Sequence, residues 1–94
     1  MEKERLTDIL KQQGYPTFMI EKTIEKLLRL SPVVQEAFTL WTTHGIEPSI
    51  TLEGYSYTSL IEQFHMKPVG AFLTLDWIAR EPKEAVKSLK RGIK

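Results

Sequence analysis

The segment that most constrains this chain is Val69-Gly70-Ala71-Phe72-Leu73-Thr74-Leu75-Asp76-Trp77-Ile78-Ala79. Pro68 stands before it. Proline suits the first position of a helix, where its missing N–H leaves nothing unsatisfied, and it pushes the preceding Lys67 out of the helical region. The segment therefore reads as a helix from Pro68 to about Arg80. An ordinary surface helix shows one apolar stripe; a helix that is apolar on nearly every side is buried. Two arrangements bury it. Either the rest of the chain wraps it, or a second subunit covers part of it. Gly70, Thr74 and Trp77 lie roughly along one line, and the two small residues let another helix approach closely. That side is expected to carry any homodimer contact. Asp76 and Arg80, four residues apart, are expected to pair at one edge.

The remaining sequence reads as mostly helical cover. Leu6, Ile9 and Leu10 form a stripe over residues 3–13, and Gly14 stops it. Thr17 is the expected N-cap of a second helix, with Ile20, Ile24, Leu27 and Leu28 inward. Its Glu25 and Arg29 are spaced for an ion pair. Ser31-Pro32 should open a third helix running to about His44, burying Val33, Val34, Ala37, Phe38 and Trp41, with Gly45 ending it. Residues 45–55 break the helical pattern at Pro48 and Gly54. Ile50-Thr51-Leu52 alternates as extended chain does, but a lone strand makes no sheet, so it should pack as a loop or pair with another chain. A fourth helix should start near Ser56 or Ser59, with Ser59 to Glu62 fitting a capping box. It should bury Leu60, Ile61 and Phe64 and end near His65. Pro82 opens a sixth helix with Ala85, Val86 and Leu89 on one face. At 94 residues, one core is feasible and two domains are not. The expectation is an all-α fold: a single helical domain over residues 1–94, built as a bundle of five to six short helices, with an irregular or extended segment at about 45–55.

Several chemistries are excluded by what the chain lacks. It has no cysteine, hence no disulfide, thiolate metal site or cysteine nucleophile. The charged start, Met1-Glu2-Lys3-Glu4-Arg5, has no apolar run behind it and is not a signal peptide. No apolar stretch reaches the ~20 residues that span a bilayer. A cytoplasmic protein with no membrane partner is expected. His44 and His65 are not at metal-ligand spacing, and the five glycines stand singly, without a phosphate loop. No catalytic residue, metal or cofactor is expected.

The net charge of +1 hides an asymmetry. Arg80, Lys83, Lys87, Lys90, Arg91 and Lys94 face only Glu81 and Glu84 at the C-terminal end. Two readings apply: a solvated helix end whose lysines suit the helix dipole, or a basic surface for nucleic acid. In the second, the contacts would be Lys67, Lys83, Lys87, Lys90, Arg91 and Lys94. Tyr15, Tyr55, Tyr57, Trp41 and Trp77 either complete the core or form an aromatic patch for a partner.

Residues 57–80 contain a short helix, a break at His65-Met66-Lys67-Pro68 and a second helix, with Leu60, Phe64 and Met66 at apolar positions. This unit resembles a helix-turn-helix, and the resemblance implies association with DNA. Two positions depart from that pattern. A recognition helix presents polar donors in its first turns, whereas this one opens with Val69-Gly70-Ala71-Phe72-Leu73. Ile61 also stands where a small residue is usual. The functional expectation is thus a non-enzymatic protein-interaction or regulatory accessory module, motivated by surplus apolar surface. The alternative is a helix-turn-helix-like DNA-associated protein using the basic C-terminal segment.

Overall fold

The helical punctuation of the sequence is realised nearly residue for residue. A computed structural model describes residues 3–92. Its elements are α1 (Lys3–Gln12), α2 (Thr17–Leu27), α3 (Pro32–His44), β1 (Thr51–Leu52), β2 (Tyr55–Ser56), α4 (Tyr57–Glu62), α5 (Pro68–Arg80) and α6 (Pro82–Lys90). Proline occupies the first turn of α3, α5 and α6. Gly45 ends α3 at φ 65°, with its N–H donating to the carbonyls of Leu40 and Trp41. A left-handed residue at this place satisfies carbonyls that the helix itself leaves unpaired, and glycine adopts it without steric cost.

Helix α5 is wrapped by its own chain. Every residue from Pro68 to Ile78 is buried or half-buried, and α3, α4, α6 and β1 all pack against the helix. Phe72 is its centre. The ring meets Phe38 edge-on at 5.0 Å, Tyr57 at 5.1 Å and Trp41 at 5.4 Å between centroids. Pairs at such distances add about 0.5–1.5 kcal/mol each beyond area burial. The chain itself covers most of the helix, as in the first of the two arrangements, while Gly70, Leu73, Thr74, Asp76 and Trp77 keep part of their surface.

Two clasps place α5 among its neighbours. At its C-terminal end, Asp76 Oδ1 accepts from the Ser31 N–H at 2.7 Å and from the Ser31 hydroxyl at 2.9 Å. Arg80 pairs with the same carboxylate at 3.0 Å through Nε and donates from Nη2 to the Arg29 carbonyl. The expected Asp76–Arg80 pair is therefore part of a joint between the end of α2, the start of α3 and α5. At the other end, the Val69 N–H points to Gln13 Oε1 at 3.4 Å, and the Lys67 amine donates to the Gln13 carbonyl.

Several local expectations are corrected. Thr17 is the first helical residue of α2 rather than its cap, and Pro16 stands at the cap. The capping box of α4 is Ser56 with Ser59, not Ser59 with Glu62: Ser59 N–H donates to Ser56 Oγ at 3.1 Å, and Ser56 N–H to Ser59 Oγ at 2.9 Å. Helix α4 ends at Glu62, and His65 beyond it takes φ 56°. The extended segment is half of a hairpin. Thr51 pairs with Ser56 and Leu52 with Tyr55, antiparallel. Glu53 at φ 51° and Gly54 at φ 84° make the connection, the positive-φ pair of a type I′ turn, which matches strand twist. The strand thus pairs within its own chain. Among the described residues the one ion pair is Asp76–Arg80; Glu25 and Arg29 do not form theirs. Among them, no helix is long and apolar enough to cross a membrane.

Candidate functional site

Helix α3 carries two apolar stripes, not one. Val34, Phe38 and Trp41 repeat at i, i+4, i+7, and so do Val33, Ala37 and Leu40, one position away. A helix lying on a core can turn only one of these fully inward. Val34 and Phe38 are 0% and 1% exposed, and Trp41 packs against them. The second stripe faces out: Val33 is 46% and Leu40 38% exposed, with Ala37 buried between them. Val33 was expected in the core and lies at the surface, for this reason.

After Gly45 the chain doubles back along that outer stripe. Ile46, 50% exposed, joins Val33 and Leu40 around a groove of about 250 Å³ floored by Ala37 and Ile50. Glu36 and Glu47 stand on its rim. Thr58 donates to the Glu47 carboxylate at 3.0 Å, which ties the doubled-back segment to α4. The volume is below the roughly 300–1,000 Å³ typical of small-molecule pockets. It suits a few apolar side chains of a partner rather than an enclosed ligand.

Among the described residues, the large exposed apolar side chains are confined to one part of the chain. They are Phe18, Met19, Leu28, Val33, Leu40 and Ile46, all between α2 and the segment just after α3. The residues proposed from the sequence for a partner contact lie elsewhere. Gly70, Thr74 and Trp77 are half-buried on α5. Thr74 Oγ1 donates to the Gly70 carbonyl at 2.8 Å and approaches Met66 Sδ at 3.4 Å, and a Cβ on Gly70 would meet nothing within 4 Å. The signal that pointed to α3 was present in the sequence as its doubled stripe.

The basic candidates divide into two places. Lys83, Lys87 and Lys90 share one face of α6 and border a single groove with the hairpin tip. Arg91 follows at the C-cap of α6. Lys67 is apart from them, its amine held at the end of α1. Lys94 lies outside the described residues. The helix-turn-helix resemblance meets a structural obstacle: Val69, Ala71 and Phe72, which would open the recognition helix, are each 0% exposed.

His44 and His65 are exposed, at the end of α3 and in the turn before α5. Among the described residues no three His, Asp or Glu side chains converge as metal ligands. Burial raises the phenols of Tyr15 and Tyr57 above their ordinary pKa, with the Glu47 carboxylate adding to the effect on Tyr57. Both shifts hold the hydroxyl neutral. Compared with known protein families, curated proteins and solved structures, the chain matches none.

Proposed function

We propose that this chain is a non-enzymatic interaction module whose α3 face receives an amphipathic helix of a partner protein. The observation that carries the reading is the convergence of Val33, Leu40 and Ile46, each more than a third exposed, on one groove. A partner helix with apolar anchors at i, i+4 and i+7 fits such a groove. Glu36 and Glu47 on the rim favour basic residues flanking those anchors. Full burial of one such side chain is worth about 1.5–3 kcal/mol. With part of each already covered, roughly 1 kcal/mol apiece remains, and two anchors together are worth about 30-fold in affinity.

The experiment compares the wild-type chain with a Val33→Gln, Leu40→Gln double variant as baits in a lysate of the source cells. A protein retained only by the wild type is then purified and titrated calorimetrically against both. About 30-fold weaker binding to the variant is expected, together with a negative heat-capacity change for the wild type. Equal binding by the two baits, or no retained protein, would sink the reading.

A further inference from the structure

We infer that the groove between the hairpin tip and α6 binds a short stretch of single-stranded nucleic acid, with Lys83, Lys87 and Lys90 on its phosphates and the Tyr55 ring under a base. The helix dipole gives Lys87 and Lys90 a structural reason to stand in the last turn of α6, where cations are favoured. It gives none for Lys83, which sits in the first turn, where the dipole opposes a cation. Lys83–Lys87 and Lys87–Lys90 are like-charge pairs at i, i+4 and i, i+3, each mildly destabilising. Among the described residues none of the three is paired with a carboxylate. One arrangement accounts for all three: they line the same groove, of about 990 Å³, against the hairpin tip, where the exposed Glu53 is the single carboxylate among the lining residues and leaves a balance of +2.

The floor of the groove selects among anions. Tyr55 and Val86 give it an apolar base, and Tyr55 is braced by Phe64, with ring centroids 6.1 Å apart. Lysines along a shallow groove together with an aromatic platform are what a single strand needs, because phosphates take point charges and bases take ring faces. A duplex is read by elements that project into its grooves, and here the lysines and Tyr55 share one shallow, open groove with no projecting element. A purely acidic chain such as poly-glutamate would find the charges but leave the ring unused. The lysines rise about 6 and 4.5 Å apart along the helix axis, a spacing for successive charges on a polymer rather than one small ion. The groove shares no residue with the α3 face, so the two sites are separable by mutation.

The test is fluorescence anisotropy with a labelled 12-nucleotide oligothymidylate, the same sequence as a duplex, and poly-glutamate as competitor. With three phosphate contacts, the salt slope for a single strand is about −2, so affinity should fall roughly 20-fold between 50 and 200 mM salt. The Lys87→Gln, Lys90→Gln variant should bind at least ~10-fold more weakly, and its melting curve should show it folded at the assay temperature, since both side chains are exposed and only a small helix-dipole contribution is lost. Tyr55→Leu, which keeps an apolar group against Phe64, should cost about 5-fold. The inference is overturned by an absence of binding at ~50 mM salt, by a charge-neutralised variant that binds as well as the wild type, or by duplex or poly-glutamate binding as tightly as the strand.

Discussion

Helices α3 and α5 are matched in outline and opposite in fate. Each has 13 residues and begins with proline in its first turn, and each is apolar on more than one side. Helix α5 ends up with no exposed residue from Pro68 to Ile78, while α3 keeps Val33 and Leu40 in the open. Composition separates them only in part, with eight apolar residues of thirteen in α5 and six in α3; chain order does the rest. Helix α5 has α4 and α6 joined to its two ends by short connections, and both fold back onto it. Helix α3 is followed by the excursion through residues 45–56, which covers only the edge of its outer stripe. Apolar excess thus says that a helix seeks cover. Which of two such helices finds it within the chain depends on what flanks each.

The largest expected effect tests the covered side. Phe72→Ala removes the ring at the meeting point of Phe38, Trp41 and Tyr57, and should cost about 3–5 kcal/mol in urea denaturation. A cost below ~1 kcal/mol would mean that α5 is not the centre of the core. An intermediate effect tests the joint between the two helices. Asp76→Ala leaves the Ser31 N–H without its acceptor and should cost about 1–3 kcal/mol. Little of that comes from the ion pair itself, because the Arg80 side chain is 51% exposed and surface pairs are weak. Arg80→Gln should therefore be much milder than Asp76→Ala, and equal costs would break that assignment. The smallest effect belongs to the open side. Leu40→Gln should cost about 1 kcal/mol, the share of its burial already realised in the free chain; a loss comparable to Phe72→Ala would show that α3 buries both stripes.

Much of the fold could be read from punctuation. Pro32, Pro68, Pro82 and Gly45 fix helix ends by stereochemistry alone, and α3 and α5 fall where those residues place them. Harder to read were features resting on a second, distant residue. Ser31 looks like a local cap, yet its hydroxyl serves Asp76, 45 positions away. Ile50-Thr51-Leu52 looked like a strand without a partner because Tyr55 and Ser56 are too few to signal one, although Glu53-Gly54 is a turn pair. For the candidate sites, the three lysines of α6 were visible as a spacing. Their alignment with Tyr55 was not, because it depends on where the hairpin lands. The α3 groove was hidden for a different reason: Val33 and Leu40 have the chemistry of core residues, and only the rotation of the helix about its axis places them outside.

The bond from Ser31 to Asp76 also sets how the molecule opens. Ser31 precedes α3, so no i−4 carbonyl of that helix shields its amide; the shield is a carboxylate on α5. Its proton can exchange with solvent when α5 separates from the α2–α3 corner, whether or not either helix unravels. Amides in the middle of α3 exchange by loss of the helix as well. The Ser31 amide is thus a built-in gauge of the docking of one half of the chain on the other, and its exchange rate in deuterated water reads that docking directly.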